Sequence, residues 1–230
     1  MEELSRASHP TIRPSKGIKA TTNMPNHPNT AKTALTLLAA GASTRMGQPK
    51  QLLRYQGESL LRRSLRIAME TPFRPIVVVL GARAAELEAE LEEAEAQIVY
   101  NSAWATGMGS SAATGLEALL RTEPELDAVF FILVDQPYLT AAHLVEMKKQ
   151  LDAALEKVGA ASAYERTLGV PALFRKALFP ELLQLHGQKG AKPVIEKYRD
   201  QLLTVPFPQG RIDLDTPEDW KEFLQNEDFL

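Results

Sequence analysis

The sequence predicts an α/β fold, with a mostly parallel sheet covered by helices on both faces. Short apolar runs at 34–38, 76–80 and 129–134 read as strands buried on both sides. Stretches with helical apolar spacing fall between them. The connections are short, as expected of alternating strands and helices in a layered fold.

In chain order, residues 34–38 form the first strand and run into a small-residue loop, L-A-A-G-A-S-T-R-M-G-Q-P-K at 38–50. Residues 60–69 carry Leu61, Leu65 and Ala68 at helical spacing, and Pro72 and Pro75 close the connection that follows. The β-branched run 76–80 is a second strand, ended by Gly81. Residues 84–96 read as a Glu-rich helix with Leu87 and Leu91 inward and its acids on a solvated face. A third short strand at 97–100 precedes Gly107-Met-Gly-Ser-Ser111, which opens a helix reaching about Leu120.

Residues 129–134 are the most apolar strand and end at Asp135. Thr140 then caps a helix running to about Lys157. After Gly159 the pattern weakens. Residues 160–164 read as a strand, 169–174 as a turn with an extended segment, 175–185 and 191–198 as short helices, and 202–205 as a strand. Thr216-Pro217-Glu218-Asp219-Trp220 offers an N-cap, a proline in the first turn and early acids, so it starts a final helix.

Apolar residues make up 44% and charged residues 24% of the 230, the balance of one globular domain, expected to span 32–230. Residues 1–31 are expected to be a disordered N-terminal tail. Pro10, Pro14, Pro25 and Pro28 and a scarcity of large apolar side chains leave little to offset the ordering entropy. This stretch lacks the continuous apolar run of a signal peptide, and Met24 is a plausible alternative first residue. A net charge of −3 gives no electrostatic case for nucleic acid or membrane binding. The chain has no cysteine, which removes disulfides, thiolate metal sites and a cysteine nucleophile. That composition is compatible with a reducing cytoplasm, the location expected.

The loop at 38–50 carries the strongest functional signal. Backbone amides between a strand and a helix can wrap an anion, and Arg45 and Lys50 add two cations. The alternatives are a polyphosphate cradle and an ordinary small-residue turn with surface charges. Five residues separate Gly41 from Gly47, and Gln51 follows Lys50, so this is not a Walker A loop. Ser43 and Met46 stand where the dinucleotide fingerprint needs glycine.

Asp135, at the end of a buried strand, lies where such folds bind ligands, as a Mg²⁺ ligand or as a turn former before proline. Asp213 and Asp215 precede the last helix. Asp215 can serve as its cap, which makes Asp213 the better second metal ligand. Ser110 and Ser111 are either simple caps or contacts to a base or ribose. His143 and His186 have no metal-site spacing, and no G-x-S-x-G elbow is present.

Four segments resemble the MobA-like nucleotidyltransferases, within them the molybdenum cofactor cytidylyltransferases. They are L-A-A-G-x-S-x-R-M-G-x-x-K at 38–50, Asn101-x-x-Trp104-x-x-Gly107-Met108-x-x-Ser111-x-x-x-Gly115-Leu116, Asp135-Gln136-Pro137 and Asp213-x-Asp215-Thr216-Pro217-Glu218-Asp219. The resemblance implies a Rossmann-like three-layer sandwich of the nucleotide-diphospho-sugar transferase type. It also implies a Mg²⁺-dependent enzyme that transfers a nucleotidyl group from an NTP to a phosphorylated, pterin-type acceptor, with a molybdoenzyme as possible client. By that resemblance Leu38, Ala39, Ala40 and Gly41 hold the nucleotide and Arg45 and Lys50 its triphosphate. Ser111 touches base or ribose, with Ser110 beside it, and Asp135 and Asp213 hold the metal. L-A-A-G and Asp135-Gln136-Pro137 resemble the cytidylyl branch and imply CTP. Gly187-Gln188-Lys189-Gly190-Ala191-Lys192 departs from the G-D-x-G-A-R of that branch. An acid is missing there and lysine replaces arginine, which cannot be mimicked as a bidentate phosphate fork. The departure puts the acceptor in question.

Overall fold

The computed structural model describes residues 12–13, 31–92, 95–212 and 214–227. Its strands begin with β1 (Ile12–Arg13), β2 (Thr33–Leu38), β3 (Arg54–Tyr55), β4 (Glu58–Ser59) and β5 (Ile76–Leu80). They continue with β6 (Gln97–Tyr100), β7 (Ala128–Leu133), β8 (Gly159–Tyr164), β9 (Thr167–Arg175) and β10 (Leu202–Pro206). The helices are α1 (Leu60–Glu70), α2 (Ala84–Glu88), α3 (Met108–Thr122), α4 (Ala141–Ala153), α5 (Phe179–Leu182), α6 (Lys192–Lys197) and α7 (Pro217–Glu227).

Among the described residues the main sheet has the order β1-β6-β5-β2-β7-β9-β8-β10. β6, β5, β2 and β7 are mutually parallel, β9 is antiparallel to both neighbours, and β10 is parallel to β8. Alternate residues of each strand enter opposite cores, as the two-residue strand period requires. Leu35, Leu37, Val78 and Leu80 join α1 and α4 on one face, through Leu61, Leu65, Leu144 and Met147. Ala34, Leu38, Val77 and Val79 join α3, α5 and α6 on the other, through Leu116, Leu119, Leu182 and Ile195. The sheet is therefore the middle of three layers, and the predicted fold class holds. A third, smaller cluster of Met46, Leu53, Tyr55, Leu60, Leu214 and Phe223 docks α7 beside the site.

The structure departs from expectation in several elements. The helix expected over 84–96 is only the short α2 followed by a 3-10 turn, Ala89–Leu91. Glu86 pairs with Arg83 at i,i+3, but the glutamates after it have no basic residue at helical spacing, so like charges oppose propagation. Its acids are not merely solvated. Glu90 accepts from the Ser59 hydroxyl at 2.6 Å, at the start of α1. The helix expected to reach Lys157 stops at Ala153.

The segment at 169–174, expected as a turn with an extended segment, is extended throughout as part of a nine-residue strand. Glycine and proline hide it, because proline cannot donate to a ladder and glycine weakens strands. Here the β8–β9 register shifts between Ala161 and Ser162, so Val170 and Pro171 fall in an irregularity. Side chains satisfy its carbonyls: Gln136 donates to Val170 O at 2.7 Å and Ser162 to Pro171 O at 2.8 Å.

The hairpin of β3 and β4 was not expected. Gln56 and Gly57 both have positive φ, the two-residue primed turn that suits strand twist. In the region expected to be a tail, Ile12 and Arg13 pair antiparallel with Val99 and Ile98. The rest of that expectation, apart from Ala31, lies outside the described residues. No helix among the described residues is long and apolar enough to cross a membrane.

Candidate active site

From β2 the chain crosses through α1 to β5, whereas β7 receives it from β6 through α3. Neighbouring strands whose connections diverge in this way open a crevice at their C-terminal ends. A cleft of about 330 Å³ lies there, between the loop after Leu38, Asp135 after β7 and the start of α3.

The loop is held by Gln51, whose side chain sequence reasoning had passed over. Its Nε2 donates to Ala39 O at 3.0 Å and Gly41 O at 2.8 Å. Its Oε1 accepts from the Ser43 hydroxyl at 3.2 Å, and Ser43 Oγ accepts from the Lys50 amide at 3.0 Å. The loop carbonyls are thus drawn to the buried glutamine. The amides of Gly41, Ala42 and Ser43 meet no acceptor among the described residues. Ser43 and Gly47 adopt positive φ, of 53° and 73°, which lets so tight a loop turn. A Cβ at Gly41 would meet nothing within 4 Å, so its bare backbone borders open space in the cleft.

Lys50 Nζ donates to Asp135 at 2.5 Å and to Asp215 at 3.1 Å. Arg45 also pairs with Asp215. Side-chain exposure separates the two cations: 16% for Lys50 against 71% for Arg45. Lys50 is the inner charge and Arg45 a solvated arm at the rim. Burial pulls the Lys50 ammonium down, but Asp135 and Asp215 more than offset it and hold its pKa above the ordinary lysine value.

Asp215 is not the helix cap. Thr216 and Asp219 perform that task reciprocally: Asp219 N donates to Thr216 Oγ1 at 3.2 Å and Thr216 N to Asp219 Oδ2 at 2.8 Å. Asp215 thus does not take the capping role the sequence allowed it, and it faces Lys50 instead. Asp213, the expected second metal ligand, lies outside the described residues.

The opposite wall is the start of α3. Asn101 Nδ2 donates to Ser110 Oγ at 2.8 Å and Ser111 Oγ at 2.9 Å. Ser110 turns its hydroxyl to Gly107 O at 2.8 Å, while Ser111 lines the cleft. Neither caps the helix, since Gly107 occupies the N-cap without a side-chain bond. Trp104, Met108 and Gln188 complete this wall, and sequence reasoning had given none of them a role there. Gly107 and Gly109 let the backbone of 186–188 approach closely. A Cβ on either would stand 2.3 to 2.7 Å from that backbone. The departing segment at 187–192 is thus fastened to α3, with Gln188 against the cleft. Gln136 points elsewhere, to Val170.

Residues 35–202 match the family described as the MobA-like NTP transferase domain. The chain belongs to that family. Nicotine blue oxidoreductase of Paenarthrobacter nicotinovorans is 38% identical over 105 residues, which cover 45% of this chain and 50% of that protein. The chain thus matches about half the length of that relative. A probable molybdenum cofactor guanylyltransferase of Synechococcus elongatus is 27% identical over 82% of this chain and 96% of its own length. Among solved structures, Rv0371c of Mycobacterium tuberculosis H37Rv in complex with manganese is 27% identical. Its TM-score is 0.65, covering 85% of this chain and 99% of that one. This MobA-like chain therefore carries the loop, the strand-end aspartate and the α3 wall inside the family match, with Asp215 beyond it.

Proposed function

We propose that this protein transfers CMP from CTP to the phosphate of molybdopterin or a related phosphorylated pterin, releasing pyrophosphate. One observation carries the reading. Lys50 and Arg45 converge with Asp135 and Asp215 beside a loop in which the amides of Gly41, Ala42 and Ser43 have no acceptor among the described residues. That arrangement suits a triphosphate with a divalent cation better than any nucleophile-based chemistry.

In this reading the amides of Gly41, Ala42 and Ser43 and the Arg45 guanidinium receive the triphosphate, with Lys50 beneath. Leu38, Ala39 and Ala40 border the nucleoside, and Ser111 meets base or ribose. Asp135 and Asp215 offer hard oxygen donors, which suit Mg²⁺ sharing its sphere with phosphate oxygens, and Asp213 is a further candidate. When bound, Mg²⁺ would neutralise triphosphate charge. The manganese complex of Rv0371c supports a divalent cation.

An acceptor phosphate oxygen then attacks the α-phosphorus, and the bond to the bridging oxygen of pyrophosphate breaks. The attacking phosphate is already anionic near neutral pH, so no protein base is needed. The charge growing on pyrophosphate is met by Lys50 and Arg45. The reaction is proposed to run in the cytoplasm and to hand its product to a molybdoenzyme.

CTP is preferred on the L-A-A-G loop. The Synechococcus relative named as a guanylyltransferase favours GTP as the second reading. Pyrophosphate release with molybdenum cofactor and each NTP decides between them. Turnover with CTP and not GTP is expected, and the reverse would refute the base assignment. CTP binding without pyrophosphate from any acceptor would point to a non-catalytic accessory protein. Asp135→Asn should abolish turnover while leaving the circular dichroism spectrum unchanged, and an active variant would remove Asp135 from the chemistry.

A further inference from the structure

We propose that Lys50 is a latch on the carboxylates of the cleft: it is the resident counter-cation of Asp135 and Asp215 and excludes a divalent cation from them until a triphosphate draws it away. The proposal rests on the nucleotidyl-transfer reading and adds how the same site admits its ions.

One nitrogen serves both acids. Lys50 Nζ lies 2.5 Å from Asp135 Oδ2 and 3.1 Å from Asp215 Oδ1. None of the three side chains is more than 22% exposed, so water screens these contacts only in part. The oxygens that hold the ammonium are the hard donors a divalent cation would use. The two cations exclude each other, because an ion on those oxygens would stand against the ammonium at close range.

The local charge balance points the same way. Among the described residues, Lys50 and Arg45 face Asp135 and Asp215, so two positive charges meet two negative ones. A free divalent cation adds positive charge to a site already neutralised, and a triphosphate alone adds several negative charges. Entering together they offset one another, and each then favours the other by the same factor. Among the described residues no group of three or more His, Asp or Glu side chains gathers to hold a metal. Two carboxylates leave most of an octahedral sphere to water and phosphate oxygens.

The latch can open without moving the loop. The Lys50 amide donates to Ser43 Oγ at 3.0 Å, and the adjoining Gln51 grips the carbonyls of Ala39 and Gly41. The backbone at Lys50 is thereby held, while its ammonium ends a flexible four-carbon stem. The amides of Gly41, Ala42 and Ser43, without an acceptor among the described residues, line the same cleft. A triphosphate held there brings phosphate oxygens to the ammonium, and a change of side-chain rotamer then frees both carboxylates. Arg45 is no such latch. It is 71% exposed and, among the described residues, pairs with Asp215 and not with Asp135.

The test titrates Mn²⁺, a paramagnetic substitute for Mg²⁺, into the full chain without nucleotide and reads the free ion by electron paramagnetic resonance. Lys50→Met should bind Mn²⁺ about tenfold or more tightly than the wild type, and Arg45→Ala within about twofold of it. Lys50→Gln, also uncharged, should gain likewise and decides the matter if the methionine variant does not fold. Adding Asp135→Asn to either should abolish the gain. Neutral variants that bind no more tightly than the wild type overturn the proposal, as does a gain that survives Asp135→Asn or that Arg45→Ala reproduces. Release is read from quenching of Trp104, in the cleft wall, by the non-transferable analogue α,β-methylene CTP. Mn²⁺ should raise the affinity of the wild type for this analogue by more than it raises that of Lys50→Met, which has no latch to open. An equal rise overturns the proposal. A wild type that binds neither CTP nor GTP in the presence of Mn²⁺, beside a Lys50→Met variant that still gains Mn²⁺ affinity, would keep Lys50 as the resident counter-cation and sink the nucleotidyl reading instead.

Discussion

Replacing Gln51 with leucine tests whether the loop is built by its buried amide. The wild-type side chain is 1% exposed and takes part in three hydrogen bonds, two to loop carbonyls and one from Ser43. Each is worth about 1 kcal/mol net, and leaving the buried Ala39 carbonyl without its donor costs roughly 1 kcal/mol more. The leucine recovers about 1–2 kcal/mol as buried apolar surface. The balance is a destabilisation of about 2–3 kcal/mol. For a chain of this size that lowers the melting temperature by about 5–10 °C.

The decisive contrast is Gln51→Glu. A carboxylate cannot donate to the two carbonyls and sets a charge against them, so this near-isosteric change should destabilise more than leucine does. Thermal unfolding followed by circular dichroism measures both variants. With the loop carbonyls released, the amides lose their fixed direction, and NTP KM should rise by about tenfold or more. If Gln51→Leu melts within about 2 °C of the wild type with an unchanged KM, the amide does not organise the loop.

Two further outcomes follow from the charges. Lys50→Met removes the inner cation and should lower kcat by about 10²–10³-fold, whereas Arg45→Ala at the exposed rim should act mainly on KM; equal effects in steady-state kinetics would refute the inner and outer roles. His143 stacks on Phe207 at 4.7 Å, and burial lowers its pKa, so the unfolded chain binds a proton that the folded one resists. Its contribution is full above the unfolded value near about 6.5 and is lost as pH falls toward the folded value. Urea titrations at about pH 7.5 and about pH 5.5 should show a smaller loss of stability for His143→Gln than for the wild type, and an equal loss would refute this.

The layered fold was legible because β2, β5 and β7 are buried on both faces, which writes burial into the chain as unbroken apolar runs. β9 was not. It contains Gly169 and Pro171, and only the register shift against β8 and two donating side chains make that stretch acceptable in a sheet. Those compensations come from Gln136, 34 residues away, and from Ser162 on the paired strand, contacts that an apolar pattern does not encode. α2 failed for the opposite reason. Its apolar spacing was right, but the pattern says nothing of how far a run of glutamates whose basic partner at helical spacing is Arg83 alone will propagate.

The site shows the same division. Arg45, Lys50 and Asp135 stood out because a glycine-bearing loop and a strand-end acid announce themselves locally, and the structure brings Lys50 and Asp135 into contact. Asp215 was ambiguous because D-T-P-E-D offers more acids than a helix start needs. Only the reciprocal bonds of Thr216 and Asp219 show which acid is left over. What holds these groups at working distance is more remote still. Met46 follows Arg45, Tyr138 lies just beyond Asp135, and Leu214 precedes Asp215, and all three pack in the cluster around Phe223. The segments that deliver a rim cation and two acids are thereby fixed to one another through apolar contact. Polar pairing alone could not do this. An exposed pair such as Arg45 with Asp215 contributes little positional free energy, and the burial of Met46, Leu214 and Phe223 has to supply it.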